Sequence, residues 1–346
     1  MSTAFPRARR TKGARALSAA LVLGCAAGCA RAPGPMAPAS EPATQLANLG
    51  WILTIVGSIV IVIIAVLLLI PALRGWRAGR EGETPPVHNG DGERWIVLGG
   101  IAIPFAILFG VFVVTAATLS KTSHAPTRPR FMIEITGRQW WWEVRYPSPD
   151  PQQTFVTANE IHIPVGEPIA LRVQSTDVIH SFWVPQLQGK IDVIPGQTNT
   201  FWLRADSAGV YHGQCAEYCG IQHAHMAMQV VAQPRAQFES WVAQQRRPAD
   251  APTDSLASAG RVEFEHQACA LCHAIQGTGA HGKMGPDLTH VASRLMLASG
   301  TIPNTPGHLA GWIMNSQAIK PGNDMPQMYL DPPSLHAIMA YLATLH

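Results

Sequence analysis

Between Tyr211 and Met226 the chain reads YHGQCAEYCGIQHAHM, and the twelve positions from Cys215 onward include the thiols of Cys215 and Cys219, the imidazole of His223 and the thioether of Met226. Thiolate and thioether sulfurs are soft donors, and with imidazole they form a set that suits copper. Three residues separate Cys215 from Cys219 and three more separate Cys219 from His223, with Met226 following. On a helix the first three would share a face, but Gly213, Gly220 and the β-like run before them favour a loop. Because a thiolate can bridge two metal ions, this set is one nitrogen short of a binuclear copper centre. His180, in TDVIHSFWVP, can supply it from the end of a predicted strand, just ahead of a Pro-containing turn. A disulfide, a zinc knuckle and two buried thiols are competing uses of the same cysteines; a disulfide suits an exported chain but leaves His223 and Met226 unexplained.

A second constellation lies near the C-terminus. Cys269-Ala-Leu-Cys272-His273 is the c-type haem attachment pattern, in which two thiols add to the haem vinyl groups and the adjacent histidine binds iron. A redox dithiol or half a zinc site would use the same CxxC. No second cysteine pair follows, however, and KPGNDMPQM offers Met325 as a sixth ligand. Met328 competes with it, and the Met-Pro pair favours Met325. His/Met ligation favours a relatively high potential.

DVIHSFWVPQL together with CAEYCGIQHAHM resembles the CuA site of cytochrome c oxidase subunit II. The resemblance implies that Cys215 and Cys219 bridge two coppers, that His180 and His223 each cap one, that Met226 is a weak ligand and that Glu217 contributes its backbone carbonyl. It also implies a magnesium or manganese ion shared with subunit I through the Glu217 carboxylate, with Asp177 and Asp192 at matching positions; the bland reading of these carboxylates is structural or partner-facing. In GRQWWWEVRYP three consecutive tryptophans cannot all face the core of an alternating strand. By the resemblance, electrons from cytochrome c come in at Trp140, while Trp141 and Trp142 fit a sheet edge or a membrane interface. KPGNDMPQM is similar to a class I cytochrome c methionine loop, and GPDL at Gly285–Leu288 to the segment whose proline carbonyl receives the axial histidine N–H.

Taken whole, residues 46 to 346 resemble subunit II of a caa-type oxidase, in which a cytochrome c domain is fused after the CuA domain. That implies one covalent haem c, a binuclear CuA, an external cytochrome c donor, and partner subunits I and III. Oxygen reduction and proton translocation would belong to subunit I. One departure is that GDGERWIVLGG does not keep the register of the acidic residue that many relatives place ahead of the second span; Glu93 is the nearest substitute. A quinol oxidase subunit would lack the copper ligands. A CuA-containing subunit of a nitrogen-oxide reductase, or a membrane-anchored electron carrier, would share them.

The elements that must position these residues are legible too. With 346 residues, 47% hydrophobic and only 14% charged, the chain has room for several domains and is lean in charge for a soluble protein. Residues 1 to 29 read as a secretory signal, with AAGC at Cys29 resembling a lipoprotein box and Cys25 a competitor. An ordinary signal or an uncleaved helix would carry these cysteines incidentally. The segment 1 to 28 holds five basic residues and no acid, and taking those five from the net +3 leaves −2, so the charge makes no case for nucleic acid.

A linker and a transmembrane hairpin are expected over 30–125, with spans at about 46–70, ending at Pro71, and about 95–119. Arg74, Arg77, Arg80 and Arg94 place the connecting loop in the cytoplasm. Both soluble domains then lie on the outer, periplasmic face of the plasma membrane. Short β-branched runs from RFMIEITG to MAMQVVAQ predict an all-β domain at 126–246, which the resemblance makes a cupredoxin-like Greek-key sandwich. After it come a flexible linker at 247–258 and an all-α class I cytochrome c domain at 259–346. Between the haem domain and the mildly acidic sandwich, apolar contact near Trp140 is expected. His162, His212, His225 and His266 are assigned no role.

Overall fold

The computed structural model describes residues 34–81, 92–125 and 127–346. The expected signal, Cys25, Cys29 and most of the interhelical loop lie outside the described residues. Among the described residues, two helices are long and apolar enough to cross a membrane. The first, α1 (Glu41–Glu81), runs straight through Pro71 instead of stopping there. A proline removes a single backbone hydrogen bond, and in hydrocarbon, where each unmade one costs several kcal/mol, ending the helix there would forfeit more than continuing it. The second rises through α2 (Gly92–Val97), a π turn over Leu98–Ala102, and α3 (Ile103–Thr122). The π turn precedes Pro104, which therefore sits in the first turn of α3, where its missing N–H is not needed.

The β domain packs two five-stranded sheets. The first orders β3-β2-β1-β5-β8 and the second β4-β10-β9-β6-β7, from β1 (Met132–Arg138), β2 (Trp141–Tyr146), β3 (Phe155–Ala158), β4 (Glu160–Pro164), β5 (Ile169–Ser175), β6 (His180–Trp183), β7 (Ile191–Val193), β8 (Asn199–Leu203), β9 (Gly209–Cys215) and β10 (Ala227–Gln233). Alternation along each strand sets the inner face: Ile133 and Ile135 on β1 and Ile169, Leu171 and Val173 on β5 are fully buried. Of the three tryptophans, Trp142 is fully buried, which corrects the expected sheet-edge or membrane-interface position: β2 begins at Trp141, so Trp142 takes the strand's first inward-facing place. Trp140 and Trp141 are half-buried, and Trp141 lies under the Arg138 guanidinium at 5.7 Å. The helix α4 (Arg235–Gln245) folds back on the sandwich, burying Phe238 and stacking Trp241 on His162 at 3.9 Å.

The haem-type domain is helical, built on α5 (Ser255–His266), α6 (Cys269–Cys272), α7 (Pro306–Met314), α8 (Ser316–Ile319) and α9 (Pro332–Leu342). Here the structure corrects the expected flexible linker. Asp254 caps α5, accepting from the Ala257 N–H, so the helix begins inside the supposed tether. The remainder is held as well: Ala249 N–H donates to Gln276 O, and Arg247 O accepts from His290 Nε2. Farther along, Leu295 N–H donates to Glu160 and Ser299 Oγ to Ala227 O. The two domains are thus stitched together along an interface.

Candidate metal centre and haem-binding site

The alternation that buries Tyr211 and Gly213 on β9 brings Cys215 inward at the strand's last position. The chain then turns through Gly220, at φ +118°, and a short turn of 3-10 helix at His223–His225 before Met226 leads into β10. His180 opens β6, which pairs with β9. All six expected copper donors meet at this end of the sandwich. Cys215 and Cys219 Sγ lie 3.7 Å apart, too far for a disulfide. His180 Nδ1 is 3.9 Å from Cys215 Sγ and Glu217 O is 3.3 Å from it. His223 Nδ1 and the Met226 thioether lie 3.6 and 3.8 Å from Cys219 Sγ. His180, Cys215 and Cys219 are all buried, and their donor atoms lie within 4.8 Å of one another. The donor set fits a copper pair.

The surroundings orient these donors. Asp177 Oδ1 is 2.7 Å from His180 Nε2, and a carboxylate can only accept, so Nε2 carries the proton and Nδ1 turns its lone pair toward Cys215. Asp177 is itself fixed by the backbone N–H groups of Val178 and Gln139. Burial works to raise its pKa, but the hydrogen bonds from His180 and those two amides prevail and lower it. Burial likewise favours neutral His180, yet its contacts with Cys215 and Asp177 raise its pKa. In the metal-free chain the hydrogen bond from Cys219 holds the Cys215 thiol down to about 3, while the same contact pushes Cys219 up. Gly137 leaves room for the His180 ring, since a Cβ there would stand 2.8 Å from its Cδ2. Asp177→Ala is therefore expected to weaken copper binding about 10- to 100-fold. Asp177→Asn, which keeps an acceptor, should lose less; titration against a competing chelator measures both.

Sequence reasoning missed this role of Asp177, which it set among the carboxylates of a shared magnesium or manganese site. Its carboxylate is engaged by His180 and Gln139, and that of Glu217 lies 3.8 Å from Lys190 Nζ. Also missed were two donors to the Cys219 carbonyl, the Trp140 indole at 2.9 Å and Gln139 Nε2 at 2.8 Å.

In the helical domain Cys269 and Cys272 are free thiols at either end of α6. His273 Nδ1 donates to the Pro286 carbonyl at 2.7 Å, the contact expected of GPDL, which leaves Nε2 for iron. Burial lowers the His273 pKa and keeps the imidazole neutral, as a ligand must be. Gly285 is required beside it, because a Cβ there would stand 2.6 Å from His273 Cε1. The Met325 backbone is fixed at both ends: its N–H donates to Asn323 Oδ1, and its carbonyl accepts from Ser316 Oγ and Gln317 Nε2. Met325 and Met328 both pack on the domain core. Two thiols, a neutral imidazole with a free nitrogen and a methionine in a braced loop fit a covalent haem.

Comparison with known proteins agrees with this geometry. Residues 149–233 match the family described as cytochrome C oxidase subunit II, periplasmic domain, and residues 257–346 match cytochrome c. Cytochrome c oxidase subunit 2 of Alkalihalophilus pseudofirmus is 34% identical over 82% of this chain and 82% of its own length. The chain belongs to the cytochrome c oxidase subunit II family. Subunit 2 of Bacillus sp. strain PS3 is 29% identical over 78% of this chain and 79% of its own. The crystal structure of the periplasmic domain of subunit II from Bradyrhizobium japonicum is 33% identical, covers 35% of this chain and 97% of its own, and has a TM-score of 0.33. As a subunit II chain, the protein combines two apolar helices, a cupredoxin-like β domain and a C-terminal helical cytochrome c domain.

Proposed function

We propose that this chain is the electron-input subunit of a terminal respiratory oxidase, anchored by its two apolar helices with both soluble domains on the outer face of the plasma membrane. A haem c attached to Cys269 and Cys272, with His273 and Met325 as axial ligands, and a copper pair held by His180, Cys215, Glu217 O, Cys219, His223 and Met226 supply reversible one-electron chemistry when bound. The chain's own task is to hold them close, to exclude water and to fix their ligands. The proposed route runs from an external cytochrome c to the haem, past Trp140 to the copper pair, and on to the oxygen-reducing, proton-translocating subunit I, with subunit III alongside. A magnesium or manganese ion at the Glu217 carboxylate and a lipid on Cys29 are further parts of the reading.

The observation that carries this function is that one chain presents both donor sets, with the loop bearing Met325 hydrogen-bonded to the loop bearing Cys219 and His223 through Gln222 Nε2 and the Pro321 carbonyl at 2.6 Å. The test is to purify the intact complex from membranes, record its spectrum, and follow oxygen uptake with reduced cytochrome c. Uptake sensitive to loss of either cofactor is expected. Copper and haem c signals in a chain that copurifies with no haem-containing partner would overturn the oxidase reading.

A further inference from the structure

Five residues before Met325, Lys320 is only 3% exposed, and its ammonium reaches out of the haem domain altogether. Nζ donates to the backbone carbonyl of Trp140 in the copper domain at 2.7 Å. Burying a lysine head costs several kcal/mol unless it is met by acceptors, and burial brings the Lys320 pKa down to about 7. The haem domain's own packing does not call for this cost, because the partner of the charge is across the interface.

Around this contact the two ligand-bearing loops interlock. Gln222, next to His223, donates to Pro321 O at 2.6 Å. Gly322, at φ +79°, lies under Ile221, and a Cβ there would stand 2.2 Å from the Ile221 Cδ1. On the copper side the Trp140 indole donates to Cys219 O at 2.9 Å. On the haem side Asn323 Nδ2 donates to Lys320 O at 2.6 Å, and Asn323 Oδ1 accepts from Met325 N–H at 2.8 Å. Hydrogen bonds therefore link Cys219, Trp140, Lys320, Asn323 and Met325 in one continuous series.

We infer that Lys320 is a positioning residue, a latch that seats the methionine loop on Trp140 and the Cys219–Gln222 turn and so fixes the geometry of electron transfer between the two cofactor sites. This rests on the electron route proposed above. With both groups bound, the haem held by Cys269, Cys272, His273 and Met325 would supply one electron and the copper pair held around Cys215 and Cys219 would accept it, with no bond made or broken. The latch places the fused domain on the Trp140 rim in cis, so its contact is polar and specific where the sequence suggested apolar contact.

The test uses the full-length chain in its complex, comparing Lys320→Met, which keeps the length of the side chain and loses the donor, with Lys320→Arg, which keeps a donor. Amide hydrogen exchange over 139–141, 219–222 and 320–323 should quicken about tenfold or more in Lys320→Met and recover in part in Lys320→Arg. Haem-to-copper transfer, followed by flash photolysis, should slow about tenfold while both cofactor spectra stay unchanged. Unchanged exchange in Lys320→Met overturns the latch. Quickened exchange with an unchanged transfer rate keeps the seat but overturns its part in electron transfer, and so also tells against the route. Should Lys320→Met lose its haem spectrum, Gln222→Ala, which leaves the haem domain intact, decides: exchange at 320–323 must quicken, and if it does not, the interlocked loops carry no docking.

Discussion

Cys215→Ser is expected to remove the copper pair outright, taking bound copper from about two per chain to near zero and oxygen uptake down at least about a hundredfold. A thiolate can bridge two soft metal ions, whereas a serine hydroxyl stays protonated and is a poor donor to copper. Nor can the site adapt, because Cys215 and Cys219 are both nearly inaccessible and their sulfurs lie only 3.7 Å apart with His180, His223 and Met226 closed around them. Cys219→Ser should behave in the same way. Met226→Leu, by contrast, removes a weak ligand and should shift the spectrum and potential while copper stays bound. Metal analysis and the copper spin signal measure all three, and a Cys215→Ser protein that kept two coppers with delocalised spin would refute the bridging assignment.

The second large effect concerns a residue that does no chemistry. Gly260 of α5 meets α9 so closely that a Cβ on it would stand 1.8 Å from the Ala337 carbonyl oxygen and 2.3 Å from its carbon. Alanine is the better helix former by about 1 kcal/mol, so propensity alone predicts a gain from Gly260→Ala. The clash is with backbone, however, and the two helices must move apart, which empties the core around Phe264, Ile338 and Tyr341. A net loss of about 3 kcal/mol or more is expected, lowering the melting temperature of the haem domain by roughly 12–24 °C. The melt can be followed in the haem absorbance of the full chain while the copper signal reports the sandwich separately. An unchanged or raised melting temperature would show that the helices do not cross where the structure places them.

Most of the donor set was readable because Cys215, Cys219, His223 and Met226 fall within twelve positions and are of unusual types, as are the residues of CxxCH. What was not readable depends on contacts between segments far apart. Asp177 is three residues from His180, but its service to the Nε2 proton appears only once the chain curls between β5 and β6. Lys320 looks like an ordinary loop lysine until the copper domain closes over it. The linker and Pro71 misled for one reason: local composition describes an isolated residue type, whereas the Asp254 cap starts α5 inside the linker and the turns on either side of Pro71 carry α1 through it. The tryptophans misled in the same way: Trp142, placed from the sequence at a sheet edge or membrane interface, is fully buried, because β2 begins at Trp141 and Trp142 takes its first inward place, while Trp140 precedes the strand and escapes its alternation.

The sandwich is fastened to the helical hairpin at both of its ends. Before α1, Ala39 N–H donates to Gln186 O, Asp206 N–H to Ala39 O and Ser40 Oγ to Leu187 O. At the last residue of α3, the Trp202 indole donates to Thr122 O at 3.0 Å. A body held to a plane at one point can swivel about every axis through that point. Held at two, it keeps a single hinge axis, the line joining them. The sandwich can therefore turn relative to the hairpin only about that line, and its copper-bearing end is confined to an arc around it.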